Sequence, residues 1–314
     1  MNSSGGSDVR DIAIICGPTA AGKSAIAMAL AERNGATLIS ADSRQVYRRF
    51  DIGTAKPAAA DQARVPHHGV DVVDPSVRYS AAEWAGGATT WIEEAVRKEQ
   101  PVIVVGGTGF YLRTLESPLF ESPSLDVDER ARVLASLDAQ TTDALRARCL
   151  RVDPARAHLG RTQLLRALET FELTGRPLSE WLTERARTAE FRPHYLVVDP
   201  GATLRDRIAV RVMQMLDAGW EEEVAQLVRD VPADAPAWNA CGYAMLRAAQ
   251  AGEVSRAHAI ERTIIETRQY AKRQRTWFRH QLPPDRVTML DPGATDAVDK
   301  ALAWLDAVSL TEQT

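Results

Sequence analysis

Apolar positions along this chain follow two alternating rhythms. Short runs of four or five apolar residues, rich in Ile and Val, are separated by longer stretches in which apolar residues return every three or four positions. The first run, at 12–16, leads through a glycine-containing loop into helical spacing that ends near Asn34 and Gly35. Glycine there suits the left-handed turn that closes a helix. Runs at 37–40, 70–73 and 102–105 predict a second, third and fourth strand, and Ser80 with Glu83 is spaced as a capping box opening a helix to about Lys98. Strands alternating with helices predict a parallel sheet with right-handed crossovers, buried on both faces.

After Leu115 the texture changes. Residues 116–128 are rich in Pro, Ser and acids, and from there to about 187 the pattern is helical with no strand candidate. We read an inserted all-helical subdomain over 117–192, with the core domain formed by 11–116 and 193–314. A strand at 194–198 returns to the sheet, Thr203 with Asp206 opens another capped helix, and one long helix runs from 256 to about 281, stopped by Pro283 and Pro284. The Ser/Gly-rich lead-in, 1–10, reads as disordered.

The chain has 314 residues, 45% hydrophobic and 25% charged, the composition of an ordinary soluble globular protein. No apolar run approaches the roughly 18 residues of a membrane span, and the first residues lack a signal-peptide core. A cytoplasmic protein without a membrane partner is expected. Cys16, Cys149 and Cys241 are odd in number and form no C-x-x-C pair, which argues against a disulfide scaffold or a zinc ribbon. The net charge of −4 hides two basic segments: 267–280 carries +5 and 146–176 carries +4, leaving −13 on the rest. Two local patches on an acidic body point to a defined anionic partner. With no surplus apolar face, a monomer is expected.

Gly17, Pro18, Thr19, Ala20, Ala21, Gly22, Lys23 and Ser24 fit G-x-x-x-x-G-K-[ST] between a strand and a helix start. Backbone N–H groups of such a loop curl around phosphate oxygens, Lys23 neutralises phosphate charge, and Ser24 is placed to ligate Mg²⁺. The fold class is therefore α/β, a P-loop NTPase-like parallel sheet flanked by helices, with the inserted helical subdomain. An ATPase of this class carries an acid on a neighbouring strand end. Here 102–105 runs instead into Gly106, Gly107, Thr108 and Gly109, which suits a transferase.

The second strand ends in Ala41-Asp42-Ser43, where α/β proteins place reacting groups, although a helix cap would use the same residue. His67 and His68, with Asp71, point to opposite faces of a strand start and suit packing or a loop hydrogen bond better than zinc. On the long helix Arg268, Lys272, Arg275 and Arg279 share one stripe, and Tyr270, Gln274 and Trp277 another. Such a surface either grips phosphates and stacks unpaired bases, or is a solvated face over a packed aromatic one.

Taken together, GPTAAGKS (17–24), ISADSRQVYRRFDIGTAKP (39–57), VPHHGVDVVDP (65–75), GGTGFYLRTL (106–115), LLRALETFELTGRPLS (164–179) and TRQYAKRQRTWFR (267–279) resemble the tRNA dimethylallyltransferase family. The resemblance implies transfer of a dimethylallyl group from dimethylallyl diphosphate to N6 of the adenosine 3′-adjacent to the anticodon, position 37, in tRNAs reading codons that begin with U. Diphosphate is released. It implies Asp42 as the base at the target amine, Thr108 at the reacting nucleotide or diphosphate, and Arg211 on the diphosphate. It also implies tRNA contacts at Asp42, Ser43, Arg44, Gln45 and Thr108, at Arg130, Thr162, Gln163, Leu164, Leu165 and Arg166, and on the basic helix. The chain departs from the family pattern H-P-N-D-x-x-R at 158–163, and from GYKE or GYRE at 242–245. Alternatives are prenylation of free adenine nucleotides, a small-metabolite P-loop kinase, and a non-catalytic RNA-binding module.

Overall fold

In a computed structural model of the chain, residues 9–117, 127–184 and 189–311 are described. The chain divides into two compact units, residues 1–116 with 189–314, and residues 117–188. The expected disordered lead-in falls outside the described residues up to position 8, and Arg10 already belongs to the first strand.

The larger unit holds six parallel strands: β1 (Arg10–Cys16), β2 (Thr37–Ser40), β3 (His67–His68), β4 (Val102–Gly106), β5 (Phe191–Val198) and β6 (Val287–Leu290), in the order β3-β2-β4-β1-β5-β6. Side chains alternate between the sheet faces, and both faces are buried. Ala13, Ile15, Leu38, Ile103, Leu196 and Val198 meet α1 (Lys23–Asn34) and α13 (Ala297–Thr311). Ile14, Cys16, Ile39, Val104, Tyr195 and Val197 meet α3 (Ala81–Arg97), α4 (Gly109–Glu116) and the end of α12 (Arg256–Gln281). A third apolar cluster joins Val46, Tyr47 and Phe50 to α9 (Leu204–Asp217), α10 (Trp220–Asp230) and α11 (Tyr243–Gln250).

Several local expectations are met by specific contacts. Gly35 closes α1 at φ +63°, and Ser80 with Glu83 makes the reciprocal capping box of α3. Three are corrected. The third strand is His67–His68 and not 70–73, because Gly69 (φ +77°) and Asp71 (φ +53°) are left-handed and break the extended run; only Val73 makes a bridge, to Tyr47. Thr203 lies in a 3₁₀ turn and is already helical, so its hydroxyl donates to Pro200 O at 2.9 Å and does not cap α9. The returning strand begins at Phe191, which brings the unit boundary to 188/189 instead of 192/193.

The smaller unit contains α5 (Val127–Asp138), α6 (Thr142–Val152), α7 (Arg161–Thr174) and α8 (Leu178–Glu184), with a short 3₁₀ turn at Pro154–Arg156. Leu137, Leu145, Cys149, Leu164, Leu168 and Leu178 form its core. The polar anchor there is Glu169, 2% exposed, whose carboxylate accepts from both Arg130 and Arg166. No helix among the described residues is long and apolar enough to cross a membrane.

Candidate active site

The phosphate loop leaves the carboxyl end of β1 through a position only glycine can hold. Gly17 has φ +142°, and a Cβ there would stand 2.2 Å from Val198 O on β5. Gly22, at φ +101°, precedes α1 with no side chain capping its first turn, so the open N–H groups of this helix end face the loop. Lys23 folds over the loop, its Nζ donating to Pro18 O at 2.8 Å. Burial, and then the neighbouring Arg211 guanidinium, lower its pKa to about 8, while Asp42 and Cys16 act in the opposite direction. Burial likewise lowers the pKa of Arg211, again opposed by Asp42. Two partly desolvated cations and one carboxylate thus share a small volume beside the phosphate loop. Cys16 is fully buried, and desolvation pushes its thiol up, which makes it an inert packing group.

Asp42 lies two residues past the end of β2, and the turn after it is not helical, so the helix-cap reading has no helix to cap. Its Oδ1 accepts from the Arg44 N–H at 2.8 Å. The end of β4 lies tight against this turn: Thr108 N–H donates to Ala41 O at 3.1 Å, and a Cβ on Gly106 would meet that same oxygen at 2.2 Å. Thr108 Oγ1 accepts from the Ser43 N–H at 3.0 Å, which locks the two strand ends together. Asp42, Thr108, Lys23 and Arg211, named from sequence, therefore gather at the carboxyl ends of β1, β2 and β4. A parallel sheet places its ligands there.

Residues 45–281 match the IPP transferase family, and residues 10–66 match the isopentenyl transferase family. A tRNA dimethylallyltransferase from Mesorhizobium japonicum is 44% identical, over 88% of both chains, and one from Myxococcus xanthus is 40% identical, over 92% of this chain and 95% of that one. The chain belongs to the tRNA dimethylallyltransferase family. Among solved structures, a full-length tRNA isopentenylpyrophosphate transferase from Bacillus halodurans superposes with a TM-score of 0.69 at 31% identity, covering 97% of this chain and 98% of that one. A eukaryotic dimethylallyltransferase acting on tRNA gives 0.83 at 27% identity, covering 96% and 80%.

Against the dimethylallyltransferase pattern, the residues assigned to tRNA separate into several kinds. Ser43 and Arg44 are partly exposed on the turn after Asp42, but Gln45 is spent internally, accepting from Ser40 Oγ at 2.8 Å and donating to Ala55 O at 2.9 Å. On the basic stripe Lys272 and Arg279 are exposed, whereas Arg275 is bound to Asp199 and Gly201 O, and Arg268 donates to Arg205 O at 3.3 Å. The stripe is thus partly a set of internal ties. In the smaller unit Thr162 and Gln163 are exposed, Arg166 and Arg130 share Glu169, and Leu165 packs on the core. Leu164 is fully buried in that core, so its side chain is a packing element, correcting its assignment to RNA.

For Tyr270, Gln274 and Trp277 the structure shows the packed face, the second of the two readings. They face the GGTG loop: the Tyr270 hydroxyl lies by Thr108, Gln274 Nε2 donates to Gly107 O at 2.8 Å, and the Trp277 ring fills the space a Cβ on Gly109 would need. His67 Nδ1 bonds Val65 O and His68 stacks on Trp91, the packing roles expected of them. The departure at 242–245 is confined to Ala244 and Met245, and the two residues that keep the pattern are structural. Gly242 (φ +87°) packs against Trp220, and the buried Tyr243 hydroxyl donates to Glu223 at 2.6 Å. Sequence reasoning missed Arg207, whose Nε donates to Ala20 O at 3.2 Å beside the loop; its spacing of four from Arg211 was the available signal.

Proposed function

We propose that the chain transfers the dimethylallyl group of dimethylallyl diphosphate to N6 of the adenosine 3′-adjacent to the anticodon, in tRNAs reading UNN codons. The observation that carries this reading is the placement of Asp42 beside a phosphate loop whose neighbours are Lys23 and Arg211, in a chain whose relatives are named for this transfer. The donor diphosphate lies on residues 17–24. As the N6 lone pair bonds to C1 of the prenyl group, the C1–O bond breaks and its electrons leave with diphosphate, whose charge Lys23 and Arg211 offset. Positive charge grows on nitrogen, and Asp42 stabilises it and takes the proton. Thr108, fixed by Ser43, defines where the base lies against Asp42.

Mg²⁺ fits one donor here, the exposed Ser24 hydroxyl at the start of α1, in the manner of an ion that takes few protein oxygens and fills its shell with phosphate and water. When bound it supplies further positive charge to the leaving diphosphate. Its three cysteines are free, as suits the cytoplasm, where a monomer would meet its tRNA.

An anticodon stem-loop incubated with dimethylallyl diphosphate and analysed by nucleoside mass spectrometry tests the chemistry. N6-dimethylallyladenosine at the 3′-adjacent position is expected, and none should form when that adenosine is replaced by guanosine. Unmodified adenosine in both RNAs would refute the reading. The exposed cations give a second test: the K272A/R279A double variant lowers the slope of log affinity for tRNA against log salt by about 1–2, and leaves the affinity for the prenyl donor unchanged. An unaltered slope would remove the basic helix from the RNA surface.

A further inference from the structure

Gln274 sits near the middle of α12, 6% exposed, with both ends of its amide engaged on different loops. Its Oε1 accepts from the backbone N–H of Thr19 in the phosphate loop at 2.8 Å, and its Nε2 donates to the carbonyl of Gly107 in the GGTG loop at 2.8 Å. Tyr270, one turn before, lies by Thr108; Trp277, one turn after, packs on Gly109. Gly107 itself has no room for a side chain, because a Cβ there would stand 2.3 Å from Gln274 Nε2. The N–H of Thr19 is thereby turned away from the phosphate-binding curl, so this loop holds an anion with its remaining amides and with Lys23.

We propose that Gln274 is a positioning residue that sets the distance between the leaving-group half of the site and the acceptor half. The phosphate loop fixes the diphosphate, and Gly107 precedes Thr108, which is locked to the turn carrying Asp42. One side chain that reads an N–H on the first loop and a C=O on the second holds donor carbon and acceptor nitrogen in register. Only a group with an acceptor and a donor at amide spacing can do this. The proposal rests on the transfer reaction stated above.

The test uses the isosteric pair Gln274→Glu and Gln274→Met in the full-length chain. A protonated glutamic acid restores both bonds, its C=O accepting from Thr19 and its O–H donating to Gly107. The ionised form has no proton to give and faces a carbonyl in a buried place, so the acid form is favoured over an extended pH range. The facing ionisable and charged groups, Lys23, Asp42, Arg211, Cys16 and Tyr270, are the same residues in variant and wild type, so the ratio at each pH reports what the carboxyl at 274 adds.

In Gln274→Glu, kcat/KM for the prenyl donor relative to wild type should therefore rise at least about tenfold between pH 8 and pH 5.5, recovering one to two hydrogen bonds. In Gln274→Met the ratio stays about 10- to 100-fold low at every pH. Calorimetry with inorganic diphosphate as the probe gives a readout independent of turnover: its affinity for Gln274→Glu follows the same pH trend. A wild type that binds diphosphate yet makes no prenylated RNA would remove the proposed reaction while leaving this clip testable. A Gln274→Glu ratio that is flat with pH, in rate and in diphosphate affinity, would overturn it, because a merely structural loss has no reason to heal in acid. A Gln274→Met variant of wild-type rate would overturn it equally.

Discussion

Replacing Asp42 by asparagine should slow prenyl transfer in a single turnover by about 10²- to 10⁴-fold, the span attributed to a positioned general base. The substitution isolates the proton acceptor from the geometry. Asparagine keeps an oxygen for the Arg44 N–H, and the Thr108 bonds to Ala41 and Ser43 do not involve the carboxylate. Rapid-quench kinetics with labelled donor bound at saturation would read the chemical step alone. A secondary signature follows from the electrostatics: Asp42 favours the charged form of Lys23, so its loss moves the Lys23 titration below its present value of about 8. A variant within about fivefold of the wild-type rate, with an unmoved alkaline limb, would take the base role away from Asp42.

Replacing Lys23 by methionine should weaken the prenyl donor by about 2–5 kcal/mol, the range for removing one partner of a desolvated charge pair. KM for the donor rises by about 1.5 to 3.5 orders of magnitude, while that for tRNA moves little. In the free wild-type protein Lys23 is charged below pH about 8 and neutral above it. A diphosphate favours the charged form, so kcat/KM for the donor should fall tenfold per pH unit above that point. The methionine variant loses this limb.

Stability should move the other way. Because burial and Arg211 depress the folded-state pKa of Lys23 below its ordinary 10.5, the native protein carries a penalty for the charge. That penalty is complete below pH 8 and is relieved as pH rises from 8 towards 10.5. Lys23→Met should accordingly melt at a higher temperature than wild type near pH 7, by a margin that narrows above pH 8. Thermal unfolding across pH checks this; a lower melting temperature in the variant would mean that Lys23 is a structural cation.

The parts of this architecture that were legible in sequence are those set by local chemistry. The runs at β1, β2 and β4 are buried on both faces, so their centres are apolar and stand out from their surroundings. The loop at 17–24 has glycine at the two positions of largest positive φ, Gly17 and Gly22, and its lysine and serine follow at the helix start, so spacing alone located it. What was not legible depends on long-range neighbours. β6 is an edge strand with Thr288 and Met289 exposed, so its four residues carry too little pattern to see. β3 was displaced because nothing in residues 69–71 announces that Asp71, as well as Gly69, is left-handed. The stripe of Tyr270, Gln274 and Trp277 was found by periodicity, but periodicity tells which side chains share a face and not what that face meets. Here it meets the GGTG loop.

The same limit applies to charge. A run of cations without acids is visible in sequence, whereas the ion pairs that tie Arg275 to Asp199 and Arg130 to Glu169 join residues far apart in the chain. Local charge density therefore overstated how much of the helix is available to an anionic partner; of the cations at 267–280, Lys272, Arg273 and Arg279 are exposed.

The most direct measurement is a single-tube competition: labelled dimethylallyl diphosphate, Mg²⁺, ATP, unmodified tRNA and AMP with the wild-type chain, followed by digestion and identification of every labelled nucleoside. Label on N6 of the adenosine 3′-adjacent to the anticodon, with none in AMP, is the expected result. Label in AMP, or ATP consumed with no labelled nucleoside formed, would contradict it.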